Sequence, residues 1–164
     1  PHVRTLWNPP LGKEIFPDML DDTVTEGVTA AYGLSDDLER QTRHTCSIDL
    51  ESCSNLKICG NSGSGKTTLL KTLILSAAEK YPPTRFNFYV LDFSGRTFKL
   101  FRKLPHCGGA VYEDEPHAVQ RLFELIRGSI SERKKLFEKA GVGSYREYIR
   151  SESLPLILLI IDDL

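Results

Sequence analysis

Gly60-Asn61-Ser62-Gly63-Ser64-Gly65-Lys66-Thr67 is a complete G-x-x-x-x-G-K-[ST] phosphate-binding loop. The apolar run Leu56–Cys59 precedes it and predicts a strand, whereas apolar residues at helical spacing follow it over residues 66–80. A strand, a glycine-rich loop and a helix in this order form the context that the motif requires. The stretch therefore predicts a nucleotide-binding α/β fold.

The residue types in the loop indicate how it would bind a triphosphate. Glycines at positions 60, 63 and 65 let the backbone turn tightly, so that successive N–H groups point inward as an anion nest. Lys66 would contact the β- and γ-phosphates of ATP, and the Thr67 hydroxyl would ligate Mg²⁺. The predicted nucleotide-binding residues are Gly60, Asn61, Ser62, Gly63, Ser64, Gly65, Lys66, Thr67 and Thr68.

A second motif lies at the end of the chain, where the apolar run Leu156–Ile161 leads into Asp162 and Asp163. A strand that is apolar on both faces suits the centre of a parallel sheet, and ligands of such sheets bind at the carboxyl ends of strands. We therefore interpret it as a Walker B strand, with Asp162 in the Mg²⁺ shell, through water. Asp163 stands where many such ATPases carry a catalytic Glu; its shorter side chain leaves open a catalytic or a solvated strand-end role.

Composition limits the functions that the chain can have. The 164 residues carry a net charge of −1, with 26% charged and 40% hydrophobic residues, which is typical of one globular domain. The chain has no excess of basic residues of the kind that would indicate nucleic-acid binding. No apolar run is long enough to cross a membrane, and no signal peptide is evident. The four cysteines contain no C-x-x-C pair, so reduced, mostly buried thiols are expected; the four histidines are assigned no chemistry.

The order of predicted elements gives the fold class and the domain limits. Residues 1–29 are predicted as a proline-containing lead-in with a short turn near Ile15–Leu20, and residues 30–164 as the ATPase domain. Strands alternating with helices predict a RecA-like, mostly parallel sheet flanked by helices, preceded by a β-hairpin. The predicted elements are strands at Ala30–Leu34 and Gln41–Leu50, joined around residues 35–37, and at Leu56–Cys59, Phe86–Leu91, Ala110–Tyr112 and Leu156–Ile161, with helices at Lys66–Lys80, Phe98–Leu104, Pro116–Ala140 and Tyr145–Arg150. Eight apolar residues are expected to form the buried face of the long helix: Val119, Leu122, Phe123, Leu125, Ile126, Ile130, Leu136 and Phe137.

A RecA-like domain needs further strands beyond the Walker B strand, and this sequence stops at Leu164. The domain is therefore expected to be incomplete, with its C-terminal part missing.

Four stretches besides the loop resemble the FtsK/SpoIIIE-type ATPase domains of type VII (ESX/WXG-type) secretion proteins, the EccC/EssC family. Leu6–Leu11 resembles the family's W-x-P-P-L segment, and Tyr32–Asp36 resembles its G-L-x-D strand. Phe88–Gly95 resembles its F-Y-x-L-D-F-G-G strand and turn, and Leu104–Gly109 matches its L-P-H-x-G-G segment. The stretches follow one another in the same order as in the family, and together they extend over nearly the whole chain. The Leu-Asp-Phe and Leu-Pro-His signatures favour the second of the tandem ATPase domains.

The resemblance implies a membrane-anchored, multidomain protein at the cytoplasmic face of the bacterial membrane. It implies neighbouring ATPase domains of the same chain, a hexamer, and ATP-driven export of WXG-type proteins. By position, the loop residues and Lys66 bind nucleotide, and Asp162 supports Mg²⁺. Asp92 would either line the same crevice or cap a turn through the Ser94 or Gly95 amide, and the second interpretation is favoured. Arg96 and Arg102 are expected at the surface, with a contact to a neighbouring subunit's phosphates as the alternative.

Two hypotheses for the function stay open. One is an ATP-hydrolysing motor domain; the other is a regulatory or substrate-receptor domain that holds ATP and hydrolyses little. A DNA translocase is disfavoured by the neutral charge balance, and a small-molecule kinase by the lack of a lid or an Arg-rich closing segment.

Overall fold

The computed structural model describes residues 9–20 and 27–163. Contacts divide the chain into two units, one ending at Ala77 and one starting at Ala78. The predictions for residues 1–8, 21–26 and 164, which include Trp7 of the W-x-P-P-L stretch, lie outside the described residues. Within the described ranges no helix combines the length and the apolar character that crossing a bilayer requires. The predicted turn near Ile15–Leu20 is confirmed as a 3₁₀ turn at Pro17–Met19.

The first unit contains the predicted hairpin. Strand β1 (Thr29–Asp37) pairs antiparallel with β2 (Thr42–Asp49), and the register shifts between Ala31 and Gly33. The amide of Ala31 donates a hydrogen bond of 2.8 Å to the Ser76 hydroxyl, which fixes this irregular part of β1 on the following helix.

The connection of the hairpin lies later than predicted. Ser35, Asp36 and Asp37 belong to β1, and the turn follows them. The Asp37 carboxylate accepts the amides of Glu39 at 3.1 Å and Arg40 at 3.0 Å, so it supplies the local acceptor that bends the chain after the strand.

The segment Leu56–Cys59 is not a strand, which makes that prediction wrong. It pairs with no strand among the described residues, and an apolar run becomes a strand only where a neighbour completes its hydrogen bonds. Helix α1 (Lys66–Lys80) has the predicted bounds, and Leu73, Ile74 and Ala77 are its buried residues.

The second unit is built on a parallel sheet. Its strands are β3 (Phe86–Asp92), β4 (Cys107–Tyr112) and β5 (Leu156–Asp162), in the order β4-β3-β5. Strand β3 is central and buries Phe86, Phe88 and Val90 on one face. Strand β5 is an edge strand of this described sheet instead of the predicted central strand, and most of its residues are half-buried as a result.

The other face of β3 supports the long helix. Helix α2 (Pro116–Ala140) has the predicted bounds, and the C-cap residue Gly141 adopts the left-handed conformation with φ +67°. Leu91 of β3, Val111 of β4 and Leu122 of α2 form the buried cluster between the sheet and the helix. The predicted helix at Phe98–Leu104 is a 3₁₀ turn at Lys99–Lys103, and the next helix is shortened to α3 (Tyr145–Tyr148).

The predicted buried face of α2 is wrong in part. Of its residues, Leu122 alone is buried, while Phe123, Leu125, Ile130 and Leu136 are between 38% and 51% exposed. A three-stranded sheet covers one stripe of the helix, so the apolar residues that flank the stripe remain at the surface. The thiols are also less buried than expected, because Cys59 is exposed and Cys46, Cys53 and Cys107 are half-buried.

The L-P-H-x-G-G stretch has a packing reason at Gly108. A side chain at this position would overlap the ring of Tyr89, which lies on the neighbouring strand β3. Glycine at position 108 therefore leaves room for the Tyr89 ring where the pairing of β3 and β4 begins.

Replacing Gly108 by Ala should lower the free energy of unfolding by about 1–3 kcal/mol, because the added methyl group displaces the Tyr89 ring. Gly128→Ala is the matched control. Position 128 lies inside α2 with open space around it, and Ala there should raise stability by about 0.5–1 kcal/mol. Chemical denaturation of the two variants measures both effects, and equal effects of the two changes would contradict the packing argument.

Candidate nucleotide-binding site

The phosphate-binding loop has the backbone conformation that its glycines predict. Gly63 and Gly65 adopt positive φ angles of 76° and 90°, a region that other residues rarely enter. A Cβ at Gly60 would lie 2.5 Å from the Ser64 hydroxyl oxygen, so a side chain at this position would displace that hydroxyl. The amide of Ser64 donates to the Asn61 carbonyl at 3.2 Å and closes the turn. Residues 60–65 are exposed, so the concave backbone is open to a ligand.

Lys66 lies across this loop. Its ammonium group donates to the carbonyls of Gly60 and Asn61, both at 3.1 Å. These contacts place the positive charge at the opening of the loop, and the ammonium group has three N–H donors available for hydrogen bonds. Position and charge together suit an incoming phosphate.

The first turn of α1 continues the anion site. The first intrahelical bond runs from the Leu69 amide to the Gly65 carbonyl at 2.8 Å. The amides at the start of a helix have no acceptor within the helix, and the helix dipole is positive there. Thr67 and Thr68 lie in this turn, with Thr67 half-buried and Thr68 exposed.

The predicted Walker B aspartate lies in the second unit, at the end of β5. Asp162 is opposite Asp92 of β3 in the parallel register, and both side chains are buried, at 4% and 1% exposure. The Phe93 amide donates to the Asp162 carbonyl at 3.1 Å and extends the pairing beyond the strand ends.

The structure gives Asp92 a capping role. Its Oδ1 accepts the Ser94 amide at 3.1 Å, and its Oδ2 accepts the Phe98 amide at 2.9 Å. The favoured interpretation of Asp92 as a turn-capping residue is thereby confirmed for the Ser94 amide. The additional contact with Phe98 ties the turn to the start of the 3₁₀ segment.

Sequence analysis missed Ser94. Its hydroxyl lies 2.8 Å from Asp162 Oδ2 and 3.0 Å from Asp92 Oδ1. Ser94 and Asp162 are 68 residues apart, so no local sequence pattern indicates their contact. The position of Ser94 two residues after an aspartate at the end of a strand is the signal that could have identified it.

Asp163 and the two arginines lie at the surface. Asp163 is exposed and has a positive φ of 63°, so the chain turns sharply after Asp162. Arg96 donates to Asp114 at 2.7 Å and lies 4.7 Å above the Tyr112 ring, while Arg102 is exposed. The ion pair of Arg96 favours the expected surface role within this chain.

The donors at these positions fit Mg²⁺ in chemical type. Asp162 and Thr67 supply oxygen atoms, which are the ligands that this hard cation prefers. Within the described parts of the chain there is no group of three or more His, Cys, Asp or Glu residues that could hold a metal ion. Protein sites for Mg²⁺ commonly use one or two carboxylates together with substrate phosphates and water, so the carboxylate of Asp162 and the hydroxyl of Thr67 are each of a compatible type.

A cavity of about 180 Å³ lies between α2 and the sheet of the second unit. Its walls are mainly apolar, and they are formed by Tyr89, Leu125, Ile126, Ser129, Ile130, Arg133, Ile157 and Leu159. Arg133 donates to the Pro155 carbonyl at 2.7 Å, and burial lowers the pKa of its guanidinium group. This lining lacks the array of donors that a triphosphate needs, so loop 60–67 remains the candidate nucleotide site.

Comparisons with known proteins agree with this geometry. The FtsK/SpoIIIE family model matches residues 34–156. The ESX secretion system protein YukB of Bacillus subtilis is 28% identical over 159 residues, which cover 96% of this chain and 10% of YukB. The ESX-1 secretion system protein EccCb1 of Mycobacterium tuberculosis is 28% identical over 169 residues, which cover 96% of this chain and 29% of EccCb1.

Two solved structures have the same fold. The cytoplasmic domain of the Thermomonospora curvata type VII secretion ATPase EccC has a TM-score of 0.81 and 25% identity, covering 99% of this chain and 22% of that one. ATPases 2 and 3 of the same EccC, in complex with a signal sequence peptide, give a TM-score of 0.75 and 26% identity, covering 94% and 30%. The predicted α/β P-loop fold is thereby confirmed. The chain spans less than a third of the length of YukB, of EccCb1 and of the EccC chain in each of the two structures.

Asp92→Ala should lower the free energy of unfolding by about 1–3 kcal/mol, because the buried Phe98 amide loses its acceptor. Asp114→Ala is the control, since it removes a carboxylate from an exposed ion pair and should cost less than about 1 kcal/mol. Denaturant titration compares the two variants. A loss at Asp92 no larger than that at Asp114 would show that the capping contacts do not stabilise the turn.

Proposed function

Because this chain belongs to the FtsK/SpoIIIE family, we propose that it binds ATP with Mg²⁺ and hydrolyses it as an ATPase domain of a type VII secretion motor. The observation that carries the proposal is the open loop at residues 60–67, with two glycines at positive φ and Lys66 across its mouth. The ESX relatives and the EccC structures support the choice of secretion as the process.

In this proposal the loop holds the triphosphate. Its backbone amides and those of the first turn of α1 donate to phosphate oxygens, and the Lys66 ammonium turns from the loop carbonyls toward the β- and γ-phosphates. The nucleotide-binding residues are those of the sequence prediction, Gly60 to Thr68.

Thr67 and Asp162 would hold the metal ion, Thr67 by its hydroxyl and Asp162 through water. When bound, Mg²⁺ would neutralise charge that develops on the phosphates during transfer. Burial keeps the Asp162 carboxylate in a region of low dielectric, where its attraction for a cation is stronger than in bulk water.

Asp163 would orient the attacking water and accept its proton. Its place directly after Asp162 and its exposure are compatible with this role. The left-handed backbone at Asp163 turns the chain at this point and sets the direction of the side chain independently of the strand alternation.

The relatives suggest the setting in which the domain acts. One of the EccC structures contains ATPases 2 and 3 of that protein in complex with a signal sequence peptide. We place this chain among such tandem domains, as the second, in a hexamer at the cytoplasmic face of the membrane. Its partners would be neighbouring ATPase domains and exported WXG-type proteins, with membrane contact made by other parts of the protein.

Lys66→Ala should weaken ATP binding by roughly 10- to 100-fold, because a charged donor to the phosphates is lost. Calorimetry with Mg²⁺ measures affinity, and steady-state phosphate release from the assembled protein measures turnover. Lys139→Ala, which removes an exposed charge at the end of α2, should leave both unchanged.

The binding and turnover measurements together test the two hypotheses for the domain. Turnover that disappears in the Lys66 variant supports the motor. ATP binding by the parent protein without any Lys66-dependent turnover would instead support the regulatory or receptor domain. No Mg²⁺-dependent ATP affinity in the assembled parent would refute both.

Asp163→Asn should lower turnover by about 10²-fold or more while ATP affinity stays at the parental value, because a general base contributes to the transition state and not to binding. Glu132→Gln, which neutralises an exposed carboxylate on α2, is the matched control. Equal turnover in the Asp163 variant, the control and the parent would assign Asp163 to the solvated end of the strand.

A further inference from the structure

Two buried carboxylates share one hydroxyl group at the carboxyl edge of the sheet. The register of β3 and β5 places Asp92 opposite Asp162, and Ser94 follows Asp92 by two residues. Ser94 Oγ lies 3.0 Å from Asp92 Oδ1 and 2.8 Å from Asp162 Oδ2. A serine hydroxyl carries one proton, so it can fully satisfy one of these two acceptors.

The remaining contacts decide which carboxylate receives that proton. Asp92 already accepts a backbone amide at each oxygen, from Ser94 at Oδ1 and from Phe98 at Oδ2. The shorter of the two contacts made by the hydroxyl is the one to Asp162. The proton of Ser94 therefore points to Asp162 Oδ2, and Asp92 holds the turn through backbone donors.

We propose that Ser94 is a positioning residue that orients the Asp162 carboxylate toward Mg²⁺. This inference rests on the proposed function, because it assigns Ser94 to the metal-supporting carboxylate of that site. Hydrogen bonds to a metal-supporting ligand fix its orientation, and their loss commonly weakens metal affinity by 10- to 100-fold.

The hydroxyl of Ser94 is separable from the fold around it. The turn depends on the Ser94 amide, which every replacement except proline retains. The backbone of Asp162 is held by strand pairing and by the Phe93 amide, which also do not use the hydroxyl. Removing Oγ therefore changes the orientation of one carboxylate while the backbone that carries it stays in place.

The test is a Mg²⁺ titration of ATP binding by Ser94→Ala, measured by calorimetry on the assembled protein. The Mg²⁺ concentration for half-maximal ATP binding should rise about 10-fold, whereas ATP affinity in excess chelator should equal that of the parent. Ser94→Thr keeps the hydroxyl and should restore the parental midpoint.

Thr97→Ala is the matched control. Its hydroxyl lies 3.4 Å from Ser94 Oγ, so this change perturbs the same turn and removes a hydroxyl next to Ser94. It should leave the Mg²⁺ midpoint unchanged, and denaturation curves of all variants check that each is folded.

The outcomes distinguish this inference from the function on which it rests. A parent protein that shows no Mg²⁺-dependent ATP binding would sink the proposed function together with this inference. A parent that binds, with an unchanged midpoint in folded Ser94→Ala, would overturn the positioning role alone. An equal shift in Ser94→Ala and Thr97→Ala would also overturn it, because the effect would then belong to the turn as a whole.

Discussion

The parallel pairing of β3 with β5 is the constraint on which the second unit depends. Its register runs without a shift from Phe86 opposite Leu156 to Asp92 opposite Asp162. Buried residues of β3 fix that register, because a slip by one residue would turn Phe86, Phe88 and Val90 to the other face. The position of the two aspartates is therefore a consequence of apolar burial some distance away along the same strands.

The phosphate loop depends on a different constraint, which is backbone conformation. Positive φ angles at Gly63 and Gly65 turn the chain so that Lys66 begins α1 and reaches back to the loop carbonyls. Little apolar burial is involved, since residues 60–65 are exposed. A sequence motif can specify such a loop because the geometry is local, whereas the aspartate pair needs the whole sheet.

This difference explains how much could be predicted. The bounds of α1 and α2 follow from helical periodicity and from local signals such as Pro116 and Gly141, and both helices were predicted correctly. Leu56–Cys59 and the outer face of α2 were predicted wrongly, because a strand needs a partner and a helix face needs a cover. Neither the partner nor the cover can be seen in the residues of the element itself. The roles of the individual site residues stay predictions.

Ser94 shows the same limit at the level of one side chain. In the family pattern F-Y-x-L-D-F-G-G the position after Phe93 is glycine, and this chain has a serine there. A turn capped by Asp92 needs only the backbone amide at that position, so either residue satisfies the turn. Because the turn leaves the side chain unspecified, the hydroxyl can act on a different strand. The two neighbouring carboxylates therefore have different partners. Asp92 accepts hydrogen bonds from backbone amides, whereas Asp162 accepts one from a side chain at the edge of the sheet where ligands bind.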